Sequence, residues 1–118
     1  MIKNKYSGYR DLKVFALAYQ VALDIHEITK RYPKEEKYSL TDQIRRSSRS
    51  VPANLAEAWK KRRYEKAFVS KLIDCAGEAG ETEVWLDFSK DFVYIKADGF
   101  VKSPCDVIAS VAKQSHWL

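Results

Sequence analysis

Between Ser39 and Tyr64 the chain reads SLTDQIRRSSRSVPANLAEAWKKRRY, and no other stretch constrains the fold as tightly. Leu40, Ile44, Ser47, Val51, Leu55, Ala58 and Arg62 follow one another by steps of three and four. That is the spacing of a helix burying one stripe against neighbouring helices. Ser39 or Thr41 is placed to cap its start, and Asp42 follows Ser39 in a loose capping-box arrangement. Pro52 falls inside the stripe, where it removes a backbone donor and is expected to kink the helix near its middle. The helix is expected to end near Lys61.

The flanking segments carry the same periodicity. A first helix is expected from about Tyr9 to Tyr32, stopped by Pro33. Val14, Ala18, Val21, Ile25, Ile28 and Tyr32 form one stripe on it, and Leu12, Phe15, Tyr19 and Leu23 form a second on a neighbouring face. One buried face needs one stripe, so two imply deep burial or a second contact surface, as in an oligomer. A third helix is expected over Tyr64–Tyr94, with Phe68, Leu72, Cys75, Ala79, Thr82, Leu86, Ser89 and Val93 as its stripe and Trp85, Phe88 and Phe92 beside it. At roughly 45 Å it is long for an isolated protomer. Gly77 and Gly80 each cost it about 1 kcal/mol relative to alanine, and close packing against another helix is the expected reason. After a turn at Ala97-Asp98-Gly99, Ser103-Pro104 reads as a helix start, followed by Val107, Ile108, Val111 and Ala112. The fold class is therefore all-α: an antiparallel, up-down-up-down four-helix bundle over residues 9–118, preceded by a flexible basic tail at 1–8.

Four glycines and three prolines in 118 residues favour long helices over many short strands. No run approaches the ~18 apolar residues of a membrane span, and the first residues lack the apolar core of a secretory signal. With Cys75 and Cys105 read as two buried thiols rather than a disulfide, the expected location is the cytoplasm, with no membrane partner.

Charge is divided unevenly along the chain. The formal net charge is +5, yet residues 45–71 hold nine basic side chains against Glu57 and Glu65, while residues 74–91 hold six acidic ones against Lys90. Either the two stretches pair with each other, or the basic one is free for an anionic partner. Arg45, Arg49, Lys60, Arg62 and Arg63 are the candidate nucleic-acid-binding residues, because cations that neutralise phosphates release counterions and gain affinity. Salt bridges to the acidic stretch, or simple solvation, are the competing account of the same residues. Tyr64 is expected in the core. Arg46, Ser50, Asn54 and Glu57 lie three or four apart on one helix face and suggest a structural polar network. Arg46 has Glu57 of a neighbouring copy, Glu78 or Glu81 as candidate partners.

No catalytic residue is assigned. His26 and His116 are isolated, and Glu78 with Glu81 lacks the histidine of a di-iron site. Cys75 lies on the core stripe, which disfavours a nucleophile. No metal and no cofactor is expected.

Asp11-Leu12-Lys13-Val14, the run Gln43-Ile44-Arg45-Arg46-Ser47-Ser48 with Ser50-Val51-Pro52-Ala53-Asn54-Leu55-Ala56-Glu57, and Arg62-Arg63-Tyr64 together resemble the bacterial four-helix-bundle proteins encoded in intervening sequences of 23S rRNA genes. The likeness covers nearly the whole chain. It departs at Ala58, where the family usually has glycine, and alanine there favours an unbroken helix. The resemblance implies a non-enzymatic four-helix protomer that assembles as a homopentamer. A more distant likeness, to accessory proteins of diversity-generating retroelements, implies binding of nucleic acid. Two functions remain open on the sequence: an oligomer that binds RNA or DNA without sequence preference through a basic surface, or a scaffold that holds a protein partner and binds no nucleic acid.

Overall fold

The computed structural model describes residues 8–96. They form a single-turn 3-10 helix at Tyr9–Asp11, helix α1 at Lys13–Thr29, a second 3-10 turn at Lys34–Glu36, helix α2 at Leu40–Lys60 and helix α3 at Glu65–Asp91. No strand occurs among the described residues, and the fold is all-α. The expected fourth helix and the turn before it lie outside the described residues, as does nearly all of the basic tail.

The helix boundaries follow local chemistry. The chain entering α1 does not begin as one helix at Tyr9. Leu12 is extended (φ −76°, ψ 132°), and it separates the 3-10 turn from α1. At the other end, Lys30, Arg31 and Tyr32 donate to carbonyls only three residues back. The residue before a proline is driven out of the α region, so Pro33 tightens and stops this last turn. Ser39 occupies the N-cap position of α2 without capping it. Its hydroxyl donates instead to Glu36 Oε1 at 2.7 Å. Helix α2 runs through Pro52 without interruption. The proline is buried, and its missing N–H removes one helical hydrogen bond.

Helix α2 lies in the middle and packs along both α3 and α1. A four-residue turn, Lys61 to Tyr64, reverses the chain, so α2 and α3 form an antiparallel hairpin. The main stripes of α1, α2 and α3 form the core; Val93, expected on the α3 stripe, lies past the end of the helix and is exposed, as are Tyr19 and Leu23 of the second α1 stripe. Val14, Ala18, Val21 and Ile25 of α1 meet Ile44, Val51 and Leu55 of α2, with Cys75, Ala79 and Leu86 of α3. Burying each large aliphatic side chain contributes about 1.5–3 kcal/mol. Arg62 is the exception in the α2 stripe, because the helix has ended before it.

Three polar residues sit on these stripes, and hydroxyl chains satisfy them. Ser47 Oγ and Thr82 Oγ1 are 2.8 Å apart, and Thr82 Oγ1 is 2.9 Å from the Glu78 carbonyl. The Tyr32 hydroxyl donates to Ser89 Oγ at 2.7 Å, and Ser89 donates to the Trp85 carbonyl at 2.8 Å. In each chain a helix carbonyl four residues back takes the last proton, so the hydroxyls can join two elements inside an apolar core. No buried side-chain nitrogen or oxygen among the described residues lacks a hydrogen-bond partner.

Helix α3 ends in a Schellman turn. Tyr94 N–H donates to the Ser89 carbonyl and Val93 N–H to the Lys90 carbonyl, both at 2.9 Å. Such a turn needs a left-handed residue, and here that residue is Val93, at φ 63°. The turn aims Tyr94 back at the segment following α1, where its ring lies 5.2 Å from that of Tyr32. Its hydroxyl donates to Glu36 Oε2 at 2.9 Å.

Candidate nucleic-acid interface

The five arginines and lysines singled out by charge do not form one patch. Arg49 and Lys60 are eleven positions apart on α2, about 16 Å along the axis. Arg45 and Arg49 belong to the first half of the helix, and Lys60, Arg62 and Arg63 to its end and the following turn.

The first group is drawn toward α1. Arg45 Nε donates to Thr29 Oγ1 at 2.8 Å, and its Nη2 lies 3.4 Å from the His26 carbonyl. It thus supplies donors where the last turn of α1 has run out of helical ones. Arg49 Nη2 is 3.1 Å from His26 Nδ1, which accepts when that nitrogen carries no proton. A shallow hollow of about 620 Å³ lies over Arg45, Arg46 and Arg49, and Lys37 and Tyr38 form its wall. Tyr38 is 85% exposed. Sequence reasoning missed Lys37 and Tyr38, because both lie in a charged loop outside the helical periodicity.

The second group is the turn itself. Arg62 is only half-exposed. Its guanidinium lies 4.1 Å from the centre of the Trp59 ring, and Nη1 donates to the Trp59 carbonyl at 2.8 Å. It therefore caps the end of α2 as well as carrying charge. Lys60, Lys61 and Arg63 are exposed. Lys61 was not among the sequence candidates, although the Lys-Lys-Arg-Arg run that contains it was the available signal. Tyr64, expected in the core, is 71% exposed. It is the residue immediately before α3, where the backbone is extended and the side chain leaves the buried stripe. No side chain caps the first turn of α3.

The expected polar line divides into separate contacts. Arg46 reaches α3, with Nη1 3.4 Å from Glu78 Oε1 and Nη2 hydrogen-bonded to Glu81 Oε1. Its side chain is 47% exposed, so this is a surface bridge and not the buried pair anticipated. Glu57 is exposed and pairs instead with Lys71 at 2.9 Å. The Lys71 ammonium holds the Glu57 carboxyl below its ordinary value, and Glu57 in turn raises Lys71. Ser50 donates to the Arg46 carbonyl. Asn54 is half-buried. The basic and acidic stretches are thus paired across the α2–α3 hairpin through Arg46, whereas Lys71 bridges the hairpin to Glu57 of its own stretch.

Cys75 is fully buried, with Sγ 3.5 Å from the Val51 carbonyl, and burial pushes its thiol up to about 12. It stays protonated at neutral pH and is a poor nucleophile. No group of three or more metal-ligating side chains occurs among the described residues. No helix among them is long and apolar enough to cross a membrane.

Comparison with known proteins agrees with the sequence motifs. No curated protein and no solved structure matches the chain. The family model described as 23S rRNA-intervening sequence protein matches residues 10–109, which takes in α1, α2 and α3. The chain therefore belongs to the 23S rRNA-intervening sequence protein family.

Proposed function

We propose that this protein is a non-enzymatic, cytoplasmic helical-bundle module that self-associates and binds RNA or DNA without sequence preference. The observation that carries this reading is the α2–α3 turn. There Lys60, Lys61 and Arg63 are exposed beside an exposed Tyr64, at the uncapped start of a long helix. Cations supply affinity for phosphates, a helix start favours an anion, and an exposed aromatic ring can stack on a base. Arg62 contributes its charge while held against Trp59. Arg45 and Arg49, with Lys37 and Tyr38, form a second and weaker contact area, because both arginines already serve α1. Phosphate contacts of this kind carry no base information, so selectivity among sequences is poor. The assembly is a closed homo-oligomer, with five copies the number suggested by family likeness.

The experiment is fluorescence anisotropy with a single-stranded RNA and a stem-loop RNA. Affinity should fall by orders of magnitude between about 50 and 200 mM salt if six or more phosphates are contacted. A Lys60→Gln, Lys61→Gln, Arg63→Gln triple variant should bind far more weakly with an unchanged circular dichroism spectrum. If the wild type shifts neither RNA at low salt, the protein-scaffold reading replaces this one. Exposed apolar side chains on α1 and α3 favour that second reading.

A further inference from the structure

Both arginines of the second contact area are tied to one residue of α1. The His26 carbonyl accepts from Arg45 Nη2 at 3.4 Å, and His26 Nδ1 lies 3.1 Å from Arg49 Nη2. The two ties differ in kind. Arg45 is held by oxygens, since its Nε also donates to Thr29 Oγ1 at 2.8 Å. Arg49 is exposed, and its bond to Nδ1 depends on the state of the imidazole. Arg49 also lines two different concavities. With His26 it borders a groove between α1 and α2, and with Lys37, Tyr38 and Arg45 it borders the shallow hollow described above. It stands between the residue that holds it and the hollow in which a phosphate would sit.

Guanidinium nitrogens donate and never accept, so the bond to Arg49 needs a neutral ring with its proton on Nε2. Protonation puts a hydrogen on Nδ1, and two donors then face each other. It also sets a second positive charge beside the guanidinium. Arg10 of the first 3-10 turn and Arg49 of α2 line the groove with His26, and no carboxylate lines it. Arg45 of α2 lies at the His26 carbonyl. On α1 itself, Asp24 accepts from Gln20 at 2.8 Å, and Glu27 pairs with Lys30 at 3.1 Å. Imidazole is the side chain that ordinarily changes charge between about pH 5 and 8.

We infer that His26 is a pH-dependent tether on Arg49, and that protonating it frees the Arg49 guanidinium for an RNA phosphate in the hollow beside Arg45 and Lys37. This rests on the proposed nucleic-acid binding and names its regulation. While the ring is neutral, it competes with phosphate for the same Nη2 donor. As pH falls the ring stops accepting, and phosphate gains that donor. Affinity for RNA therefore rises as pH falls, and by reciprocity bound RNA draws a proton onto His26. The α2–α3 turn holds Lys60, Lys61, Arg63 and Tyr64 and no imidazole, so its contribution stays constant over this range.

The probe is a rhodamine-labelled oligouridylate without terminal phosphates, whose charge is the same at about pH 8 and pH 5.5. Anisotropy titrations at several salt concentrations give the affinity and its salt dependence at each pH. Wild-type affinity should rise about fivefold or more at the lower pH. The slope of log affinity against log salt should steepen by about 0.7, the increment for one further phosphate on a single strand. His26→Gln keeps an acceptor for Arg49 and loses the titrating ring, so it should hold the pH 8 affinity and slope at both values. Arg49→Gln should lose the steepening while the turn still binds. His116 stays in every variant, so differences between variants isolate His26. A wild type with the same affinity and slope at both pH values overturns this inference alone. So does a His26→Gln protein that keeps the wild-type response. An Arg49→Gln protein that keeps it overturns the tether, because protonated His26 would then act on phosphate by itself. A wild type that binds no RNA at either pH overturns the proposed nucleic-acid binding as well.

Discussion

Replacing Val93 by glycine should make this protein more stable, although it removes a side chain and loosens the unfolded backbone. Val93 holds the left-handed position of the turn that ends α3, at φ 63°. An L-residue in that conformation costs roughly 1–2 kcal/mol, which glycine does not incur. Glycine loses more chain entropy on folding, a cost of about 0.5–1 kcal/mol. The side chain is 82% exposed, so deleting it sacrifices almost no burial. The balance is a gain of about 0.5–1 kcal/mol, or roughly 2–4 °C in Tm for a chain of this size. Thermal melts followed at 222 nm measure it, with urea titration as a second reading. Val93→Ala is the control, since alanine keeps the left-handed cost while losing the β-branch. A Val93→Gly protein that melts below wild type would refute the reasoning. An alanine variant that gains as much as the glycine variant would show that branching, not handedness, is the source.

Ser89→Ala should destabilise by about 1–3 kcal/mol, because it leaves the Tyr32 hydroxyl buried without its acceptor. Tyr32→Phe should cost less, and the double variant less than the sum, as read from urea midpoints. Arg46→Ala should cost about 1 kcal/mol and Arg49→Ala close to none, since Arg46 bridges two carboxylates of α3; equal melting temperatures would contradict this. Hydrogen bonds from Ser39 and Tyr94 hold Glu36 below its ordinary value of 4.5, and Lys71 does the same for Glu57. Their contribution is present above pH 4.5 and is lost as pH falls through the lower folded values, so Glu57→Gln should shallow the acid side of the stability profile. Cys75 has the opposite sign. Its folded value is raised from 9.0 to about 12, so stability falls as pH rises through that window. In a Cys105→Ser background Ellman's reagent should leave the native protein unlabelled at pH 8 and label it promptly in denaturant.

The buried stripes were legible in the sequence because a helix repeats every 3.6 residues and the core selects one side of it. Even Ser47, Thr82 and Ser89, polar residues on apolar stripes, were placed correctly by register alone. Helix ends were read less well. Spacing does not reveal that Ser39 turns its hydroxyl to Glu36, or that Leu12 adopts an extended backbone. The site was harder still. A count of cations over residues 45–71 contains no information on what each one touches. Arg45 is engaged by the end of α1 and Arg62 by Trp59, while Lys61 and Tyr38, outside the chosen set, are exposed. Arg46 found Glu78 and Glu81, which the sequence had named among its candidates, but on the surface.

The latch at the end of α3 bears on how the chain reaches its native state. Helices α2 and α3 are joined by a four-residue turn, so their pairing closes a short loop and needs little entropy. The contacts Tyr32–Ser89 and Glu36–Tyr94 instead join residues 57 and 58 positions apart. The hairpin should therefore be assembled at the rate-limiting step, with the latch closing after it. Loosening the latch by Ser89→Ala should raise the unfolding rate and leave the folding rate almost unchanged in a stopped-flow chevron. The latch then governs how long a folded molecule survives, while the α2–α3 hairpin governs how quickly one forms.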